Sequence, residues 1–431
     1  MITSASSMPV RIIPVSSGKG GVGKTTVAVN FALALSRYAP TILVDLDTGT
    51  SSVRNTIGVP VAHDLYHFFK KGRPLADCVT TLPEEWDPEG LYRGFGFVAG
   101  PIHLIDEITN FGPEKKRAVQ AAINALPSAY VVLDLKAGVD ANVIDFLPYS
   151  NSGILVFTPF LPSATLAASD IVKAILFKKL RIVFSPGSPF YARVKDPGMT
   201  TKLVNGLLDA VEDVYDPVLP NLDAFLADLS ASLGPHPVLE AVARTVESFR
   251  VFYVLNVFNG VSEAFDTAVK PFVQNLVTTV SERLTVTNLG WIVRSDAVHR
   301  SNCDRRPLLL QPSSYRHKEE RKPHAQRELE EIVRVTLGLT PEKAPRRPVL
   351  PIPRKPDPDK ALERELDILR KMFDRPKSEV EEAQDNIEYL TTRAVHLLNN
   401  ARPSEFGAPR IAEPEEVLKA FFPERHAPQR T

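Results

Sequence analysis

Ser17-Gly18-Lys19-Gly20-Gly21-Val22-Gly23-Lys24-Thr25-Thr26 is the stretch that decides the fold. An apolar, strand-like run, Arg11–Ser16, leads into it, and a helix-like run, Thr25–Arg37, leads out. It satisfies G-x-x-x-x-G-K-[ST], with Gly18, Gly23, Lys24 and Thr25 at the fixed positions. Glycines let backbone N–H groups converge on phosphate oxygens, and the open N–H groups of a helix start favour an anion. The pattern assigns Lys24 to the β/γ-phosphates and the Thr25 hydroxyl to Mg²⁺. Gly20, Gly21, Val22 and Thr26 complete the predicted cradle.

Around this stretch, short apolar runs alternate with helical patterns through the first 160 or so residues, predicting a mainly parallel sheet with crossover helices. Predicted strands are Arg11–Val15, Thr41–Leu46, Phe95–Val98, Tyr130–Leu135 and Gly153–Phe157. Predicted helices are Thr25–Arg37, Glu114–Leu126 and Ala164–Leu180. The alternation resumes with a strand at Val251–Phe258, a helix near Glu263–Thr278, a strand at Asn288–Val293 and a closing helix near Ala325–Leu337. Residues 1–185 and 251–340 therefore read as two parts of one doubly wound α/β core. Residues 186–250 read as a helical insertion with helices at Thr200–Val214, Leu222–Leu233 and Pro237–Phe249. Pro341 to Pro358 holds seven prolines and predicts an extended linker. Residues 359–400 carry two apolar stripes, Leu362/Leu366/Leu369/Phe373 and Val380/Ile387/Leu390/Ala394/Leu397, the second behind a Ser378-x-x-Glu381 capping box. With Asp374-Arg375-Pro376 as the turn they predict a helical hairpin. Residues 401–431 read as a flexible tail with a short apolar piece at Val417–Phe422.

Lys19 is not required by the general pattern. The run Lys19-Gly-Gly-Val-Gly-Lys-Thr-Thr26 resembles the deviant Walker A motif of the MinD/ParA family of ATPases. That resemblance implies a P-loop fold, ATP with Mg²⁺ as ligands, and a homodimer formed with ATP, in which Lys19 reaches the partner's phosphates. Slow, partner-stimulated hydrolysis is implied as well.

Thr41-Ile-Leu-Val-Asp45-Leu-Asp47 ends a strand with two carboxylates two residues apart, hence on one face at the edge where α/β sheets place ligands. It resembles the family's switch I, which implies a catalytic Asp47 acting on the attacking water, and an Asp45 that helps hold the metal's water shell. Tyr130-Val-Val-Leu-Asp134-Leu-Lys136-Ala-Gly138 resembles Walker B and switch II, which implies Asp134 in the Mg²⁺ sphere and Gly138 at the γ-phosphate. Lys136 stands where relatives usually carry Pro or Gly, and Phe160 where many carry Glu. Asn142, Asp145, Phe146, Thr158-Pro159 and Arg305-Arg306-Pro307-Leu308-Leu309-Leu310 look like the FlhG-type branch, which implies control of flagellum placement or number. Asn256 matches the family position that contacts adenine, and a satisfied buried amide is the alternative. Leu289-Gly-Trp291-Ile-Val-Arg294-Ser-Asp296 resembles the segment that covers the base, with Val293 in place of its proline. No Asn-Lys-x-Asp or Thr-Lys-x-Asp guanine-reading motif occurs, which favours ATP over GTP.

Composition is globular, 44% hydrophobic and 24% charged, with 51 Lys+Arg against 51 Asp+Glu. Whole-chain charge thus points to neither nucleic acid nor an anionic membrane. Two cysteines, Cys78 and Cys303, do not make a Cys-x-x-Cys pair, which argues against a metal cluster and fits a reducing, cytoplasmic setting. No signal peptide pattern is read at the N-terminus, and no apolar run approaches the ~18 residues of a membrane span. The family resemblance then implies a switch that positions or counts a cell-envelope or polar assembly through an unidentified protein partner. Two alternatives stand. A DNA-partition ATPase would use the basic Arg300–Arg327 stretch for non-specific phosphate contact. A scaffold would bind ATP without turnover, with Lys136 as its signature. Peripheral membrane contact has only the short, Pro423-interrupted Glu415–Arg425 segment to carry it.

Overall fold

The computed structural model describes residues 10–47, 52–102, 112–148, 151–186, 188–194, 196–212, 220–258, 260, 264–311 and 379–400. Eight strands form one sheet: β1 (Arg11–Ser16), β2 (Thr41–Asp45), β3 (Thr80–Thr81), β4 (Phe95–Val98), β5 (Tyr130–Asp134), β6 (Asn151–Phe157), β7 (Arg250–Phe258) and β8 (Thr285–Val293). Their spatial order is β3-β4-β2-β5-β1-β6-β7-β8, parallel throughout except for the β3–β4 pair. The chain winds to one side of β1 through β2 and to the other through β6. The loop after β1 therefore opens at the carboxyl edge beside the point where strand order reverses. Strands β2, β5 and β6 are buried along their whole length, as continuous Val/Ile/Leu runs covered on both faces require.

Helix Lys24–Ser36 follows the loop and is buried at every position but Thr25, so it is a core helix, not an amphipathic one. Its start at Lys24, one residue earlier than expected, follows from Gly23 taking φ 80 immediately before it. Helix Pro113–Asn124 and helix Pro162–Val183 occupy the expected crossover positions. The helix expected near Glu263–Thr278 opens as a π-helical turn, Phe265–Val269, before the α-helix Lys270–Thr279. Pro271 lies in the first turn of that α-helix. It has no N–H to give and would crowd the carbonyl of Thr267, and a wider preceding turn relieves both. β8 begins at Thr285, earlier than expected, because Arg250 at the start of β7 pairs with it.

The span 186–250 is helical as expected, with a short 3-10 turn at Pro189–Arg193 and helices Pro197–Glu212, Leu222–Leu233 and Pro237–Ser248. The first and third of these helices pack on helix Pro162–Val183. The second arm of the expected hairpin is a helix, Glu379–Asn400, seated on β8 and on the helix after the phosphate loop. The expected helix at Ala325–Leu337, the linker, the hairpin's first arm and capping serine, and the tail lie outside the described residues. Among those described, no helix is long and apolar enough to cross a membrane.

Candidate functional site

The loop Ser17–Gly23 is held in shape by its own glycines, by an internal hydrogen bond and by two neighbours, Ala167 and Asn256. A Cβ on Gly18 would stand 2.3–2.6 Å from Ala167 backbone and side-chain atoms, so only glycine lets the loop lie on helix Pro162–Val183. Gly21 and Gly23 both take φ 80, and Gly23 is also crowded by the Asn256 amide. Ser17 Oγ donates to the Lys19 carbonyl. Gly20, Gly21 and Lys19 are exposed, while Val22 and Thr26 are buried.

Lys24 and Asp134 are both buried. The Lys24 ammonium donates to one oxygen of Asp134, and the Thr25 hydroxyl donates to the other at 2.7 Å. Asp47 lies at 4.0 Å from the same ammonium. The last residues of β2 and β5 are in register, Asp45 beside Asp134, and so bring three carboxylates to the mouth of one loop. Burial pushes the Asp134 carboxyl up, and the Lys24 charge pulls it back. The donor set, a hydroxyl and carboxylates, is all hard oxygen and suits Mg²⁺ completed by water and phosphate.

Asp45 is placed differently from a freely presented ligand. One oxygen accepts from the Asp47 amide, and the other accepts from the Val53 and Gly100 amides. Its carboxylate thereby ties β2 to the start of helix Ser52–Thr56 and to the loop after β4. Burial, reinforced by the nearby Asp134 charge, pushes its carboxyl up to about 8. The unfolded chain releases this proton near pH ~4, so the native state binds more protons in between and is destabilised by up to ~1.4 kcal/mol per unit as pH rises. Asp45→Asn is expected to flatten that decline. Urea unfolding of both proteins at about pH 5 and about pH 8 checks it, and an undiminished slope would remove Asp45 as its source.

The turn after β5 rests on the phosphate loop through the Gly138 amide, which donates to the Ser17 carbonyl at 2.9 Å, and Gly138 takes φ 116. Lys136 pairs with Asp140 at 3.7 Å on the surface. Asn256 is buried with its amide donating to the Val22 carbonyl at 2.8 Å, so its donor faces the phosphate loop.

Several site neighbours were not read from the sequence. Lys116 and Lys178 both pair with Asp145, just past the short helix Ala141–Ile144 that follows Gly138, and Lys116 also donates to the Ala141 carbonyl. Burial, helped by the Lys116 charge, pulls the Lys178 ammonium down to about 8. The Thr26 hydroxyl donates to Asn302, and buried Asn30 accepts from the Leu309 amide. Lone lysines and asparagines on different helices carry no local pattern, and only the sheet topology brings them together. Arg305 donates to the Arg54 carbonyl and Arg306 lies over the Trp86 ring, so these two arginines of the basic stretch engage the folded domain. Arg316 and Arg321 lie outside the described residues.

A family model described as "ParA: NUBPL iron-transfer P-loop NTPase" matches residues 9–70. The chloroplastic MinD homolog of Arabidopsis thaliana, a septum site-determining protein, is 26% identical over 159 residues, 35% of this chain and 45% of that protein. MinD of Helicobacter pylori is 25% identical over 173 residues, 39% of this chain and 59% of that one. The chain thus spans about half the length of these curated relatives. MinD of Neisseria meningitidis is 27% identical over 241 residues, 53% of this chain and 84% of its own. Among solved structures, MinD from Pyrococcus horikoshii complexed with Mg-ADP covers 71% of this chain and 90% of its own at 16% identity, with a TM-score of 0.40. The family model and the MinD relatives support, at family level, the resemblance read from the phosphate loop.

Proposed function

We infer that this chain, a P-loop NTPase resembling the ParA/MinD family, binds ATP with Mg²⁺, dimerises on ATP and hydrolyses it slowly. Through protein partners it would thereby control the placement or number of a cell-envelope or polar assembly. The observation that carries the reading is the convergence of Lys24, Thr25, Asp134 and Asp47 at the mouth of one glycine loop. Lys24 and the loop amides would hold the phosphates, and Thr25 with Asp134 would hold Mg²⁺, which neutralises charge on the β- and γ-phosphates. Asp47, partly buried at the end of β2, is placed to orient a water. Lys19 projects from the exposed rim of the loop, where a second copy could meet it. Lys136 pairs with Asp140 in its own turn, and a scaffold that binds ATP without turnover would instead leave hydrolysis unaffected by Asp47→Ala.

Light scattering with ADP and with ATP on wild type, Lys19→Ala and Asp47→Ala is the test. The expected result is a dimer only with ATP, retained in Asp47→Ala and lost in Lys19→Ala. Phosphate release by Asp47→Ala should fall by at least ~100-fold, the low end for loss of a general base or water-positioning group. One mass for all three proteins under both nucleotides would overturn the switch.

A further inference from the structure

The pairing of β7 with β8 slips between Leu255 and Phe258, and inside that slip Val257 takes φ 56. A β-branched residue in the left-handed region is a true steric outlier, kept only where the surroundings over-determine it. Bulges of this kind re-aim a side chain. Here the side chain next to the kink is Asn256, buried and donating from Nδ2 to the Val22 carbonyl at 2.8 Å. A Cβ on Gly23 would come within 2.0 Å of that same nitrogen. Gly23 therefore supplies the left-handed turn before Lys24 and also the space through which the amide reaches the loop.

We propose that Asn256 is a positioning residue of the phosphate loop. The Val257 kink drives its amide onto the Val22 carbonyl and holds the Val22–Lys24 turn in its phosphate-binding shape before ligand arrives. The inference rests on the nucleotide reading above and deepens it. An asparagine that only reads a base does not affect a ligand without one, whereas an asparagine that shapes the loop does.

The probe is magnesium tripolyphosphate, titrated calorimetrically beside Mg-ATP into wild type, Asn256→Asp and Asn256→Ala. Asn256→Asp keeps the shape but sets an acceptor against the Val22 carbonyl. Both variants are expected to bind tripolyphosphate about tenfold more weakly, in parallel with ATP, which is the scale of one buried hydrogen bond left unmade. Amide hydrogen exchange at Val22, Gly23 and Lys24 should quicken in both, a change that loss of a base contact would not produce. Weakened ATP binding with unchanged tripolyphosphate binding would make Asn256 a base reader and overturn the proposal, as would unchanged affinity for both ligands. Wild type that binds neither ligand would overturn the nucleotide reading itself, and this inference with it.

Discussion

Lys24→Ala is expected to weaken ATP binding by at least ~100-fold, since charge-assisted hydrogen bonds each contribute ~1.5–3 kcal/mol, and also to destabilise the empty protein. The second effect is the unusual one for a phosphate-binding lysine. The ammonium is buried against Asp134, which is fully enclosed and has Thr25 as its other side-chain donor. Deleting one partner of a buried pair leaves the other desolvated and uncompensated, at a cost of ~3–5 kcal/mol. Burial already raises the Asp134 carboxyl, and Lys24 opposes that rise. Without Lys24 the folded-state carboxyl moves up further, and the native protein takes a proton that the unfolded chain has released. The deficit therefore grows as pH rises and shrinks in acid, where both states are protonated. Urea unfolding at about pH 8 and about pH 5 should show the gap closing at the lower value, and Lys24→Ala/Asp134→Asn should recover much of the stability. A single variant as stable as wild type at the higher pH would mean that the pair does not hold the site together.

Ending the chain after residue 378 is expected to abolish cooperative folding. Helix Glu379–Asn400 buries Ala383, Ile387, Leu390, Ala394 and Val395 against β8 and the helix after the phosphate loop. Tyr389 meets Trp291, with ring centroids 5.9 Å apart. Gln384 donates to the Leu308 carbonyl, and Glu388 pairs with Arg37. Large apolar side chains are worth ~1.5–3 kcal/mol each when buried, so losing the stripe rivals the ~5–15 kcal/mol that holds a typical domain folded. The milder Leu390→Ala should cost ~2–5 kcal/mol, because Leu390 is fully buried and packs over Gly290. Thermal melts of both variants followed by circular dichroism settle the matter. A shortened chain with wild-type melting would show that the helix is an appendage.

The phosphate loop was legible because its chemistry demands particular residues at fixed spacing, and Gly18, Gly23, Lys24 and Thr25 stand there. The strands that deliver Asp45, Asp47 and Asp134 were legible too, since continuous apolar runs ending in carboxylates have few other uses. Asp45 was harder. Its residue type suits a metal's water shell, yet besides the adjacent Asp47 amide it takes the amides of Val53 and Gly100, and nothing local announces those two. Asn256 shows the same limit from the other side. Its place at the end of β7 was readable, whereas the partner of its amide depends on a kink at Val257 that no propensity scale anticipates.

The C-terminal helix divides the two kinds of information most plainly. Its apolar period of 3.6 was written along the chain, so that a helix forms over 379–400 was a local matter. Where that helix docks was not. An amphipathic stripe specifies that it must be covered, but any apolar face of matching shape would serve. The face it meets exists only once β8 has joined the sheet edge and Gly290 has left room for Leu390. The sequence by itself thus determined the phosphate loop, the α/β order and the helical character of residues 379–400, because each follows from spacing within a few residues. Tertiary structure decided which buried groups face one another, because hydrogen bonds and packing between distant segments depend on distances that only the folded sheet establishes.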